Sequence, residues 1–287
     1  MKKLLLSLLI ILFGITSAVS AEGKDKKKEK GPWASSNFSG LTLRSIGPAF
    51  TSGRIADFAV NPKNHSEYYV AAASGHIWKT TNAGTTFKPV FDHYGTYSIG
   101  IVTMDPNNHN VVWAGTGERN SQRALGYGNG IYKSIDGGAS WKNMGLKSSR
   151  QIGSVVIDPR NSNIVFVAAL GSVWGPGGDR GIFKTVDAGK TWKKVLKISK
   201  NTGVRDLIYD PRNPDVMYAT AFQQRRHVFT KIGGGPESAV YKSKDGGETW
   251  NKIMKGLPKV DLGGLGIAIS PVNPDVLYLI VEAADGK

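Results

Sequence analysis

The chain has no cysteine. That excludes a disulfide framework, a thiolate zinc site, a cysteine nucleophile and a thioether-linked lipid anchor. Histidine is also scarce: His65, His76, His93, His109 and His227 lack the short spacings that put two ligands on one metal. No metal or cofactor is expected. Long hydrophobic runs are absent too. The longest, residues 4–15, is about a dozen residues, where a bilayer span needs roughly 20. No stretch after residue 31 sustains a 3.6-residue period, so helices should be minor. The glycine-rich stretches lack the lysine and following helix of a phosphate-binding loop, and no serine-centred nucleophile elbow occurs. Acidic residues are outnumbered: 22 Asp and Glu against 37 Lys and Arg give a formal charge of +15 across 287 residues.

The start reads as an address. Lys2 and Lys3 precede the apolar run, and small residues follow to Ala21. This is the layout of a secretory signal peptide over 1–21, cleaved after Ser20 or Ala21, which predicts a secreted or periplasmic protein with no membrane span after cleavage. Residues 22–40 read as a charged, solvated linker. The leader and linker carry part of the positive charge, and export separates the rest from intracellular nucleic acid. No nucleic-acid partner is expected.

The body, 41–287, repeats. One eight-residue signature recurs about every 50 residues. Its marked positions are Asn82, Gly84 and Phe87, then Asp136, Gly138 and Trp141, then Asp187, Gly189 and Trp192, then Asp245, Gly247 and Trp250. Thr80, Ser134, Thr185 and Ser243 open the four copies. A second signature, a polar residue then Pro, any residue and Asn, begins at Asn61, Asp105, Asp158, Asp210 and Ser270. Between these turns lie runs of about six β-branched and aromatic residues. Residues 152–157, 164–169, 181–186 and 191–198 give four strands in one unit. Four antiparallel strands per unit, repeated, predict an all-β fold, a β-propeller of four-stranded blades, with about four and a half blades present. The strands are continuously apolar because face-to-face packing covers both sides of each sheet.

Each residue of the eight-residue turn has a local task. Asp or Asn accepts backbone N–H bonds, Gly permits a positive φ, the hydroxyls satisfy further backbone groups, and the closing aromatic ring packs on its hairpin. Catalytic residues at these equivalent positions, three aspartates and Asn82, would lie far apart around a ring, so the turn reads as scaffold.

On this signature the chain resembles the Asp-box, or BNR-repeat, propeller superfamily, over about residues 41–287. That group includes sortilin-type receptor domains, bacterial sialidases, xyloglucan-cleaving glycoside hydrolases and photosystem assembly factors, and the chain is most similar to secreted bacterial proteins with a sortilin-like propeller. The resemblance specifies fold more than activity. The fifth unit stops after two strands, so a longer chain with further blades is expected, the strand-like 41–46 completing the last one.

Function should lie on the face carrying the loops between second and third strands, where the units differ most. These loops are 73–76, 117–130, 171–180 and 222–237. They hold Glu118, Arg119, Arg123, Tyr127, Trp174, Arg180, Arg225, Arg226 and His227, while Arg54, Arg150 and Arg205 sit near first-strand starts. Arginines with aromatics suit a carboxylated sugar, a peptide or a protein, an acidic one in particular. The leading expectation is a non-catalytic binding module. The alternative is a glycoside hydrolase, with acid and base drawn from Asp57, Glu118, Asp179 and Asp206 and from residues beyond 287. The resemblance implies an arginine triad for a sialidase, which nothing marks out here. For a xyloglucanase it implies an aspartate at the end of the first blade's second strand, where residues 71–78 hold no carboxylate.

Overall fold

The computed structural model describes residues 31–32, 34–40, 53–120 and 125–286. The expected signal peptide, most of the linker, the expected strand at 41–46 and Arg123 lie outside them. The chain divides into two units, Met1–Arg44 and Ser45–Lys287. In the first, Ser35–Phe38 forms one turn of 3-10 helix.

The second unit is built of antiparallel sheets in strict chain order. Blade one holds β1 (Ile55–Val60), β2 (Tyr68–Ala72), β3 (Ile77–Thr80) and β4 (Lys88–Pro89). Blade two holds β5 (Ile99–Met104), β6 (Val112–Thr116), β7 (Ile131–Ser134) and β8 (Lys142–Asn143). Blade three holds β9 (Ile152–Ile157), β10 (Val165–Ala169), β11 (Gly181–Thr185) and β12 (Lys193–Leu196). Blade four holds β13 (Thr202–Asp210), β14 (Asn213–Arg226), β15 (Lys231–Gly233), β16 (Ala239–Ser243) and β17 (Asn251–Ile253). Strands β18 (Leu262–Ile269) and β19 (Leu277–Ala283) pair as the described part of a fifth. The first strands β1, β5, β9, β13 and β18 are neighbours in that order, the arrangement of blades about a propeller axis.

The core lies between blades. One cluster joins Tyr69, Ile77 and Phe91 of blade one to Val112, Tyr132 and Trp141 of blade two. A second joins Trp113 and Ile131 to Val165 and Phe183, and a third joins Phe166 and Ile182 to Val204 and Met217. The second strands of blades two and three, with a cluster on either side, are therefore buried on both faces, which explains their unbroken apolar sequence.

Both repeated signatures work through short polar bonds. In blade two, Ser134 Oγ accepts from the N–H of Gly138 at 2.8 Å, and Asp136 Oδ1 accepts from the N–H of Ser140 at 2.8 Å. Thr185 with Asp187, and Ser243 with Asp245, repeat the pattern. These bonds to the charged form pull the Asp136 and Asp245 carboxyls down to about 2, the Ser140 and Thr249 hydroxyls contributing most, and hold Asp187 lower still through Thr191. Gly138 has φ +87°, and a Cβ there would stand 3.1 Å from the Tyr69 ring, so glycine is required twice over. The second signature is a pair of Asx turns. Asp158 Oδ1 accepts from the N–H of Arg160, and Asn161 Oδ1 from that of Asn163. Arg160 then bridges Asp158 to Asp215 of the next blade, and Arg212 bridges Asp210 to Asp275.

Two expectations need correction. The closing tryptophans do more than cover their own hairpins. Trp141 Nε1 donates to Val90 O at 2.9 Å and Trp192 Nε1 to Met144 O at 2.7 Å, each reaching the preceding blade, while Trp250 donates to its own Gly247. And 222–237 is not all loop. β14 continues to Arg226 and turns into β15, making an added hairpin.

Candidate functional site

The loops between second and third strands emerge at one end of the blades, together with the starts of the first strands. The predicted residues there fall into two groups.

The first group surrounds the first strands. Glu118, at the head of the blade-two loop, is buried and ion-paired with Arg54 of blade one. Arg119 Nη1 donates to Gly153 O at 3.0 Å and stands 3.7 Å from Asp206 Oδ1. Its charge is also felt at Asp57. One arginine from blade two thus touches the first strand of blade three and the electrostatics of blades one and four. Arg205 Nη2 is 3.5 Å from Asn120 Oδ1. Tyr127 is half exposed beside Arg150: the Arg150 carbonyl accepts from Gly128 N at 2.8 Å. Burial raises the Tyr127 phenol, and the Arg150 charge partly opposes it.

Burial raises both Asp57 and Asp206 above the usual carboxylate range. Each carboxylate serves the next blade. Asp57 Oδ2 accepts from Val102 N at 3.0 Å, and Asp206 accepts from the backbone of Ile267 and lies beside Thr220 Oγ1. These two residues occupy the same position of their first strands. At the equivalent place in blade three, Ser154 Oγ donates to Leu207 O. In blades one, three and four this position is an inter-blade tie made by a polar side chain, whereas blade two has the apolar Ile101 there.

The second group lies between blades three and four. Arg180 is 2% exposed. It donates to the carbonyls of Leu170 at 2.6 Å, Gly175 at 2.7 Å and Gly177 at 3.0 Å, and to Ser172 O. It therefore organises its own loop and is not presented on the face, contrary to the sequence reading. Burial draws its guanidinium down to about 10, and the nearby Arg225 charge adds to this. Arg225 Nη2 donates to Asn201 Oδ1 at 2.6 Å. Arg226 is largely buried, 6.0 Å over the Trp174 ring, again not an exposed loop residue. Trp174 and His227 are exposed. Asp179 is bound to the N–H and hydroxyl of Ser148.

A notch of about 170 Å³ opens at the seam of β14–β15 with β18–β19, lined by Gly233, Gly235, Asp261, Gly263 and Glu282. Arg205 Nη1 and Glu282 Oε2 both lie within 3.4 Å of where a Cβ on Gly264 would stand. Asn120 and Glu282 were missed by the sequence reading. Asn120 adjoins Arg119, but Glu282 reads as strand. A larger cavity, about 400 Å³, lies at the opposite end, between the turns of blades one and two. Phe87 and Val90 line it, at the positions that Trp141 and Met144 occupy in blade two. Among the described residues no group of three His, Asp or Glu could hold a metal, and no helix is long and apolar enough to cross a membrane.

Solved structures share this architecture. An ancestral GH74 enzyme superposes with a TM-score of 0.58 at 20% identity, covering 80% of this chain and 29% of the other. The GH74 xyloglucanase from Xanthomonas campestris gives 0.56 at 18%, covering 81% and 37%. In sequence, the xyloglucanase Xgh74A of Acetivibrio thermocellus is 27% identical over 217 residues, 67% of this chain. The chain spans 24% of that relative's length. The profile of the family described as "Sortilin, neurotensin receptor 3" matches residues 129–280, more than half of the chain and all of blades three and four. With its blade architecture and this match, the chain belongs to the Sortilin-Vps10 family of β-propellers.

Proposed function

We propose that this protein is an exported, non-catalytic binding module whose loop face takes an acidic glycan, peptide or protein surface. One observation carries the reading. The carboxylates that a glycosidase would need on this face are each engaged in holding the fold: Glu118 by Arg54, Asp57 and Asp206 by the next blade, Asp179 by Ser148. Among the described residues they form no pair across an open cleft. What the face presents is Arg150, Tyr127, Arg205 and Trp174, cations and rings suited to carboxylate or sulfate groups.

The xyloglucanase relatives favour a second reading, hydrolysis of a β-glucan by the intact protein. One experiment separates the two. The protein is applied to an array of carboxylated, sulfated and neutral glycans, and reducing-end release from xyloglucan is measured in parallel. Binding to acidic glycans that falls at least tenfold in Arg150→Ala/Arg205→Ala, with release at the buffer level, supports the binding module. Turnover of xyloglucan that vanishes on replacing one carboxylate would sink it.

A further inference from the structure

Blade four departs from the others at one place. Its second strand, β14, runs 14 residues, against five in β2, β6 and β10. Its last three residues pair with β15, Gln224 facing Gly233, Arg225 facing Ile232 and Arg226 facing Lys231. The resulting hairpin is braced at its base. Arg226 N donates to Val173 O at 2.9 Å, Arg225 holds Asn201, and His227 N donates to Thr230 O at 2.8 Å. At its tip stand Val228 and Phe229, 94% and 91% exposed.

Two adjacent apolar side chains so fully in water are unusual next to blades that bury theirs. Their surroundings are specific. His227 and Lys231 are exposed beside them, Arg225 is held by a neutral amide oxygen, and Trp174 and Ile232 are half exposed. No Asp or Glu occurs between Asp215 and Glu237. The tip is therefore convex and apolar, on cationic shoulders. A protein pocket would have to match that convexity. A fluid headgroup layer yields to it, accepts the apolar tip at the acyl boundary, and supplies phosphates to the cations. An indole at shoulder height suits the headgroup zone.

We infer that the β14–β15 hairpin is a docking finger for anionic phospholipid bilayers, with Val228 and Phe229 inserted and Arg225, His227 and Lys231 on lipid phosphates. The inference needs no ligand at the arginines around the first strands, so it stands or falls separately from the proposed function.

Flotation of the full chain with vesicles tests it, using equal phosphatidylcholine and phosphatidylglycerol, or phosphatidylcholine alone, at physiological salt. The protein should float with the anionic vesicles and at least fivefold less with the neutral ones. Val228→Ser/Phe229→Ser should lose at least tenfold, and Lys231→Glu several-fold. Val272→Ser, a change at an equally exposed valine in the fifth blade, should retain full binding. A single Phe229→Trp change, read by quenching from brominated acyl chains, reports insertion without removing the tip. Equal flotation of the double variant and the unaltered protein would assign adsorption to general charge and overturn the inference. Absence of flotation would also overturn it and point to a protein pocket as the partner of the tip.

Discussion

At the scale of single residues, the repeated turns are held by polar bonds whose strength depends on ionisation. The Asp136 and Asp245 carboxyls titrate near 2 in the folded chain, below their ordinary value, and Asp187 lower still. A carboxyl whose folded pKa is depressed stabilises the fold above its unfolded value, and that contribution is lost as pH falls through the folded value. Thermal unfolding followed by circular dichroism should therefore be flat in this respect from pH 7 to 5 and decline between about pH 4 and pH 2. Asp136→Asn should lower the midpoint at pH 7 and shallow the acid decline. Gly138→Ala forces φ +87° on an alanine and presses its Cβ on Tyr69. It should cost about 1–3 kcal/mol in chemical denaturation.

At the scale of elements, a lysine on the third strand ties each of the first three blades to the next. Lys79, Lys133, Lys184 and Lys242 each face an aromatic residue across the sheet, Tyr69, Trp113, Phe166 and Tyr218. Each ammonium lies 4.8–5.2 Å from that ring's centroid. The first three also donate to a turn carbonyl of the following blade, Gly137, Ala188 and Gly246. These lysines carry charge that composition alone would assign to a polyanion partner. Lys184→Met keeps the stem over Phe166 but removes the donor, and should cost about 0.5–1.5 kcal/mol. Trp113 is fully buried between blades two and three, edge-on to Trp192 at 6.2 Å. Trp113→Ala should cost about 3–5 kcal/mol. Denaturation curves for the two variants test the ranking: a larger loss from the lysine would mean that the ties, not the cores, dominate.

At the scale of the whole molecule, the arginine from blade two, Arg119, spans first strands of other blades. Arg119→Ala should therefore act on structure as well as on any ligand. A lowered unfolding midpoint, together with faster exchange of the first-strand amides of blades three and four, is the expected result. Arg150→Ala, at an exposed side chain, should leave the midpoint within about 0.5 kcal/mol of stability and change acidic-glycan binding alone. Equal destabilisation by both would mean that Arg150 is as much an axial tie as Arg119.

The blade count, the four-strand unit, the two turn signatures and the class of fold were all legible in the chain. Turn chemistry and continuous apolar strands are local properties, set by residues within a few positions of one another. The site was only half legible. Sequence placed Arg180, Arg226 and Glu118 in variable loops but had no means of showing that they fold inward: Arg180 turns back on the carbonyls of its own loop, while Arg226 and Glu118 find a ring and an arginine from other segments. Asp57 and Asp206 looked equally fit for catalysis or scaffold. Only the register of neighbouring blades reveals the N–H groups they accept. The end of β14, from residue 222, was read as loop because Gln, Arg and His carry no strand period, while pairing with β15 and support from blade three make it strand. Local composition thus determined what each blade is. Contacts between blades, which no sequence spacing encodes, decided which polar residues hold the propeller together and which face outward.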